Sequence, residues 1–269
     1  MNDLLESILK RQNKDGGWSY SRGASWTEPT LYAALVLKAS AADRTAMVRA
    51  TQWIGARQRE DGGFSPHELV EQSTWVTSLV LLFSPEDFGS RCYEGALDWV
   101  LRQTGQEGSW LYRLRRAGGW PWFPGSASWV SPTATAIMGL RRAQLYASHE
   151  DSRQQAIAHR IEEGKRFLMS HTCQDGGWNH GSEKALGYAA DPYPETTGAA
   201  LLALRGSPRE QLSRSIERAK TLAAGCSFSE GLSWLRMGLA AHGETLAPKP
   251  VPAKARNLRD ECLREFLAE

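Results

Sequence analysis

A segment rich in arginine and tryptophan, LYRLRRAGGWPWFPGSAS, runs from residue 111 to residue 128. Its arginines are Arg113, Arg115 and Arg116. One guanidinium group can bind two phosphate oxygens at once, so these side chains could hold a diphosphate. The rings of Trp120 and Trp122, stiffened by neighbouring prolines, could cap a cavity or touch a membrane. In the alternative interpretation, the aromatic rings fold back over the end of the domain and the arginines face water.

Cysteine and histidine show no spacing typical of a metal or nucleophile site. The four cysteines lie far apart and form no CxxC pair, which argues against a zinc ribbon and a disulfide scaffold. Five histidines fall near predicted turns or on polar helix faces, and none has a recognisable nucleophile spacing to Ser or Cys. They are His67, His149, His159, His180 and His242. We predict surface histidines, no metal and no cofactor.

Overall charge and hydropathy limit the partners. Thirty-two basic and 30 acidic side chains leave a formal charge of +2, which provides no basic field for nucleic acid. The opening MNDLLESILKRQ lacks the long apolar run of a signal peptide, and no apolar run of 18 residues follows. We expect a cytoplasmic protein without nucleic acid, whose membrane contact is at most peripheral.

The elements that position these residues come from a repeated phrase. QNKDGGW ends at Trp18, QREDGGF at Phe64 and CQDGGW at Trp178. Asp15 and Asp61 are 46 residues apart, and the degenerate copy QTGQEGSW places Glu107 another 46 residues on. Asp-Gly-Gly favours a tight turn with positive φ at glycine, and a fixed period of this size indicates a repeat array.

A second phrase follows each turn and predicts a buried helix. The copies are WTEPTLYAALVL from Trp26, VEQSTWVTSLVLL from Val70, WVSPTATAIMGL from Trp129, YPETTGAALLAL from Tyr193 and SEGLSWLRMGLA from Ser229. Each places Ser or Thr four residues after its start, at Thr30, Thr74, Thr133, Thr197 and Ser233. These runs are apolar nearly all round, so we predict inner helices that pack closely on one another.

More polar helices are predicted between the inner ones, over residues 43–58, 84–103, 152–171 and 207–225, each with one apolar face. An array that alternates the two kinds closes most economically as a ring. We therefore predict an all-α fold, a single α/α toroid of about five helical hairpins over residues 1–243. Residues 244–269 form a proline-rich link and a C-terminal helix that closes or extends the ring.

These phrases resemble the repeats of the terpenoid cyclase and protein prenyltransferase superfamily, the squalene-hopene cyclases in particular. The resemblance covers roughly residues 1 to 240. It implies an α/α toroid and a cavity for an isoprenoid. Cyclases of the squalene type resemble two fused toroids with the cavity reached from between them, whereas this chain holds one. A partner or self-association would then complete such a cavity.

The resemblance also implies a catalytic acid. Class II cyclases carry a DxDDT motif whose central Asp protonates an alkene or epoxide, and Tyr193-Pro-Glu-Thr-Thr197 aligns with it, placing Glu195 at the centre. The flanking aspartates are absent, and Asp191 is the candidate substitute. The ligand-binding candidates at the inner helices are Trp26, Glu28, Trp75, Trp129 and Tyr193. In the alternative interpretation, Glu195 is a first-turn acid like Glu28 and stabilises its helix.

Prenyltransferase β subunits, by the same resemblance, hold zinc with Asp-x-Cys and a distant His. The pair here is Asp260 and Cys262, with His242 the nearest histidine, and His171 and Cys173 form another close pair. This spacing is weak evidence for zinc.

Two functions follow from the sequence. In the first, the cavity binds an apolar isoprenoid-like molecule, and Glu195 takes part in class II cyclase-like or prenyltransferase-like catalysis. In the second, a non-catalytic toroid binds a protein or peptide within a larger complex.

Overall fold

The apolar runs form helices that line a ring, and the polar runs form helices outside it. A computed structural model describes residues 3–41, 43–106, 118–147, 152–181, 191–246 and 255–266. In these ranges the chain forms twelve helices, and its only β-structure is two isolated bridges. The helices are α1 (Asp3–Lys10), α2 (Thr27–Ser40), α3 (Arg44–Gly55), α4 (Thr77–Val80), α5 (Pro85–Phe88), α6 (Ser90–Arg102), α7 (Val130–Ala143), α8 (Ser152–Ser170), α9 (Pro194–Ala203), α10 (Arg209–Gly225), α11 (Ser229–Ala240) and α12 (Leu258–Glu265).

Helix contacts close the ring. The inner helices α2, α4, α7, α9 and α11 each pack on the next in order, and α12 packs against both α11 and α2. Outside them, α3 covers α2, α6 covers α4, α8 covers α7, and α10 covers α9 and α11. The predicted all-α toroid is therefore confirmed.

Small residues allow the inner helices to approach closely. On α9, a Cβ atom added at Gly198 would lie 2.2 Å from the carbonyl carbon of Trp234 on α11. One added at Gly238 would lie 2.4 Å from the carbonyl oxygen of Gly198. Because both obstacles are backbone atoms, only glycine fits, and α9 and α11 form a close inner pair.

The repeated turns join each hairpin to the next one. In the second turn, Gly62 has a φ of +86°, while a Cβ atom at Gly63 would meet that of Ser73 at 2.5 Å. The Asp61 carboxylate accepts hydrogen bonds from the Gly63 amide at 3.0 Å, Ser73 Oγ at 2.7 Å and Trp99 Nε1 at 3.0 Å. Trp99 lies on the next outer helix, so the carboxylate ties two repeats together.

The first and third complete turn phrases repeat this chemistry with one change. Asp15 accepts bonds from the Gly17 amide and from Trp53 Nε1, at 3.0 and 2.8 Å. Asp175 accepts a bond from the Gly177 amide at 3.1 Å, and Arg218 Nε lies 2.8 Å from its carboxylate in place of an indole. The polar phrase that opens each repeat is therefore architectural.

The structure corrects the predicted alignment of the repeats at three places. The backbone amide of the turn aromatic bonds to Thr30, Thr133 and Thr197 in three repeats, but in the second repeat its acceptor is Thr77, not Thr74. Thr74 instead donates its backbone amide to Phe64, as Trp26 does to Trp18. In the fifth repeat the N-cap of α11 is Phe228, one residue before the predicted start at Ser229.

The third correction concerns the arginine- and tryptophan-rich segment from residue 111 to residue 128. Trp110 and Glu107 lie outside the described residues, and Trp120 takes the position of the turn aromatic. Its backbone amide donates to Thr133 Oγ1 at 2.8 Å and its indole donates to the Val100 carbonyl at 2.8 Å. Trp18 and Trp178 make the same two kinds of bond. Trp120 is 2% exposed, so it belongs to the repeat core.

Candidate functional site

A cavity of about 370 Å³ lies at the centre of the ring. Every inner helix except the short α4 contributes to its described wall, and so does α12. The lining residues are Glu28, Tyr32, Trp75, Trp122, Ser131, Thr135, His180, Glu195, Ala199, Glu230, Trp234 and Arg259. The wall therefore combines four aromatic rings with three carboxylates, one guanidinium and one imidazole, all from one chain.

Residues at equivalent positions of different helices form the first layer of this wall. The residue two places after the N-cap faces the cavity in α2, α7, α9, α11 and α12. These residues are Glu28, Ser131, Glu195, Glu230 and Arg259. The second layer lies one helical turn further on and contains Tyr32, Thr135, Ala199 and Trp234. The C-terminal helix thus supplies the same wall position as a true inner helix.

Arg259 joins the first and last inner helices by ion pairs. Its Nε lies 2.7 Å from Glu28 Oε1, and its terminal nitrogen lies 2.7 Å from Glu230 Oε1. The other carboxylate oxygen of Glu28 accepts a bond from the Tyr20 hydroxyl, and that of Glu230 pairs with Arg256. Both carboxylates are therefore occupied by protein donors.

The ionisation of this cluster follows from its burial. Burial lowers the pKa of the Arg259 guanidinium, but Glu28 and the other facing groups raise it overall, so the guanidinium stays charged. Burial raises the pKa of the Glu28 carboxyl, while Arg259 and the Tyr20 hydroxyl act in the opposite direction. Burying such charges is favourable only when each has a partner, as the arginine has here.

Glu195 occupies the equivalent helix position but has a different partner. Its Oε1 lies 3.7 Å from His180 Nε2, and its buried Oε2 has no hydrogen-bond partner among the described residues. The His180 ring stacks on Tyr193, with ring centroids 4.6 Å apart, and its side chain is 43% exposed. His180 is therefore accessible to solvent on one side and faces Glu195 on the other.

Aromatic rings form much of the remaining wall. Trp75 and Trp122 meet edge to face with ring centroids 5.1 Å apart, and the Trp75 amide donates to the Trp122 carbonyl at 3.0 Å. Trp234 of α11 and Tyr32 of α2 are both buried. Indole faces stabilise a positive charge, so this wall suits an apolar ligand that carries or develops one.

The predicted site residues divide between the cavity and the surrounding structure. Glu28, Trp75, Trp122 and Glu195 line the cavity. The other aromatic candidates are the N-cap residues of α2, α7 and α9, two positions before the residue that faces the cavity. They are Trp26, Trp129 and Tyr193.

The remaining candidates lie elsewhere. Asp191 is exposed and is not among the lining residues, while Trp120 packs in a repeat turn. Arg113, Arg115 and Arg116 lie outside the described residues.

Sequence reasoning missed Arg259, Glu230 and His180 as cavity residues. His180 was predicted to be a surface residue, and its side chain is 43% exposed, but its ring also faces Glu195 and lines the cavity. Glu230 had a usable signal, since it follows its N-cap at the same distance as Glu28 and Glu195. Arg259 had none in the repeat pattern, because α12 lies outside the repeats.

The two pairs of residues that were considered as zinc ligands make contacts within the protein fold. Asp260 accepts bonds from the Arg256 amide and guanidinium, and Cys262 is fully buried with a pKa raised by burial. His171 stacks on Phe167 with ring centroids 3.9 Å apart. Across the described ranges, no group of three or more His, Cys, Asp or Glu side chains is placed to hold a metal ion. Nor does any described helix have the length and apolarity to cross a bilayer.

Comparisons with known proteins give one distant relative and a shared fold. No protein-family model matches the chain. A squalene–hopene cyclase from Zymomonas mobilis subsp. mobilis is 25% identical in an alignment of 136 residues that covers 45% of this chain and 21% of that enzyme. The match therefore spans about a fifth of the relative's length.

Two solved structures share the architecture over nearly the whole chain. A protein from Actinoplanes superposes with a TM-score of 0.56 and 15% identity, covering 98% of this chain and 78% of its own. A polysaccharide lyase gives a TM-score of 0.57 and 11% identity, covering 98% and 82%. At identities this low, the TM-scores show a shared fold only. The chemistry of this chain must therefore be argued from its cavity.

Proposed function

We propose that this protein binds a short isoprenoid-type molecule in the central cavity and that Glu195 transfers a proton to one of its double bonds. The observation that carries the proposal is the position of Glu195, whose carboxyl faces a partly open, aromatic-walled cavity at the centre of the ring. The distant similarity to a squalene–hopene cyclase supports an isoprenoid as the ligand class.

The size of the cavity favours a short ligand. Small-molecule sites commonly measure about 300 to 1,000 Å³, and this cavity of about 370 Å³ lies near the lower limit. Three indoles and a phenol supply apolar surface around the ligand. The proposal does not require a second toroidal domain, because the described residues of the cavity wall all come from one ring.

The proposed reaction begins and ends with a proton. The Glu195 carboxyl gives its proton to one alkene carbon, and the π electrons form the new C–H bond, leaving a carbocation on the neighbouring carbon. The indole faces stabilise that cation. Loss of a different proton, accepted by the Glu195 carboxylate or by His180, then gives an isomerised or cyclised alkene with no net change in composition.

The alternative is a toroid that binds without catalysis. Two observations favour it: no second carboxylate is recorded in contact with Glu195 among the described residues, and Asp191, the candidate replacement for the missing motif aspartates, is exposed. In this alternative, Glu195 only holds a ligand or stabilises the N-terminus of α9.

Product analysis distinguishes the two. Wild-type protein incubated with geraniol or farnesol should give a new alkene isomer by gas chromatography and mass spectrometry. Glu195→Gln should give none, while Glu210→Gln should match wild type. Glu210 is an exposed acid at the second position of α10, an outer helix, so it controls for the loss of a first-turn carboxylate. A wild-type protein without product, or a Glu195→Gln variant that retains it, would contradict catalysis by Glu195.

A further inference from the structure

We infer that the central cavity selects a positively charged head group, and that a protonated amine on a short apolar chain is the ligand class that fits it. The inference rests on the proposed function, because it concerns the same cavity and the same kind of apolar chain. It adds the sign of the charge that the site accepts. It concerns Glu195 in its carboxylate form, whereas the proton transfer proposed above starts from the protonated form.

The balance of charge in the wall is the first step. Glu28, Glu195 and Glu230 face the cavity, and Arg259 is the one Lys or Arg side chain among its described lining residues. Arg256, which also pairs with Glu230, is directed to Asp260 as well. A head group entering this space therefore meets more negative than positive charge, and in a site partly shielded from water that difference is weakly screened.

Arg259 is not free to hold an anion. Its guanidinium contacts Glu28 on one side and Glu230 on the other, each at 2.7 Å. A phosphate that took the place of either carboxylate would remove the cation from a partly or fully buried acid. Separating a buried ion pair in this way is strongly unfavourable.

Glu195 provides the complementary feature. Its Oε2 is buried and accepts no hydrogen bond from the residues that the structure describes, and His180 Nε2 lies 3.7 Å from the other oxygen. An unpaired buried acceptor is costly, so a donor that reaches Oε2 gains the full benefit of satisfying it. An ammonium group supplies both the donor and the opposite charge, and the faces of the surrounding indoles favour it further.

The test compares three ligands that share one apolar chain. Geranylamine is protonated near neutral pH, geraniol is neutral and geranyl diphosphate is anionic. Titration calorimetry on the full chain should give an affinity for geranylamine at least about tenfold above that for geraniol, as expected for a charged hydrogen bond. Geranyl diphosphate should bind more weakly than geraniol.

Variants assign the preference to its source. Glu195→Gln should bind the amine and the alcohol about equally, and Glu210→Gln should retain the wild-type order. The double variant Glu28→Gln/Arg259→Met removes one charge of each sign from the wall and tests whether Arg259 holds the diphosphate. Thermal unfolding of each variant verifies that it is folded.

The outcomes separate the two proposals. Equal binding of amine and alcohol by wild type would overturn the charge preference and leave isoprenoid binding intact. Tightest binding of the diphosphate, lost in the double variant, would overturn it in favour of Arg259 as an anion site. If none of the three ligands binds, the proposed function fails, and the inference with it.

Discussion

Glu28 and Glu195 occupy the same position of their helices, two residues after the N-cap, yet only Glu28 is paired with an arginine. Both carboxylates stabilise a helix N-terminus, as a purely structural interpretation requires. What distinguishes Glu195 is its surroundings. Its Oε2 has no partner within the described part of the chain, and its Oε1 lies 3.7 Å from the His180 imidazole.

Removing Arg259 should destabilise the ring. Arg259→Met leaves Glu28, which is 6% exposed, without its cation, and breaking a buried pair typically costs about 3 to 5 kcal/mol. Chemical denaturation should show this loss in the free energy of unfolding. Glu28→Gln/Arg259→Met should recover much of it, and Arg264→Met, on the exposed face of the same helix, should change little. A single variant as stable as wild type would mean that the ion pairs contribute nothing to ring closure.

Gly198→Ala should separate α9 from α11. The added methyl group would lie 2.2 Å from a backbone carbon that cannot rotate away, so the helices must move apart. We expect a loss of about 3 kcal/mol or more, in the range of severe overpacking. Gly55→Ala is the matched control, because its Cβ would meet no atom within 4 Å, and it should be neutral or slightly stabilising. Similar melting temperatures for the two variants would contradict the close packing.

Much of this architecture could be predicted from the sequence, because the signals are local. Asp-Gly-Gly turns and apolar runs act within a few residues, and their period indicated a ring. The register of each inner helix was less accessible. A shift of two residues separates Trp26, at an N-cap, from Glu28, in the cavity wall.

The rest depended on contacts between distant segments. Arg259 meets Glu28 across almost the whole chain, and α12 enters the ring without carrying the repeat phrase. The contact of His180 with Glu195 has no periodic signal in the sequence. The partners that distinguish Glu28 from Glu195 could therefore not be read from residue spacing.

Asp61→Asn should weaken the link between the second and third hairpins. The carboxylate accepts three hydrogen bonds, and an amide nitrogen in place of one oxygen would face the Trp99 N–H donor. Leaving a partly buried donor unsatisfied costs about 1 to 3 kcal/mol. Glu60→Gln, at the exposed neighbouring position, is the control for loss of charge in the turn. Equal stability of both variants would show that the turn carboxylate is dispensable.

Acid should destabilise the protein through the same turns. Burial raises the pKa values of Asp15 and Asp61, but hydrogen bonds from the glycine amide, the serine hydroxyl and the indole lower them overall. Because their pKa values are lowered in the folded state, these groups contribute stability above the ordinary aspartate pKa of about 3.9. That contribution is lost as the pH falls through the folded values. Unfolding free energies measured from pH 6 downward should decline less steeply in Asp61→Asn than in wild type, and parallel slopes would contradict this assignment.

The most direct test of ligand binding at the centre of the ring is to fill the cavity. Ala199 lines the cavity from α9, so Ala199→Trp should occupy the space that a ligand needs, whereas Ala158→Trp adds the same side chain to the exposed face of α8. Titration calorimetry with geraniol should show binding to wild type and to Ala158→Trp, and binding at least about tenfold weaker to a folded Ala199→Trp. Geraniol binding that is unchanged by Ala199→Trp would place the ligand elsewhere and contradict a site in the central cavity.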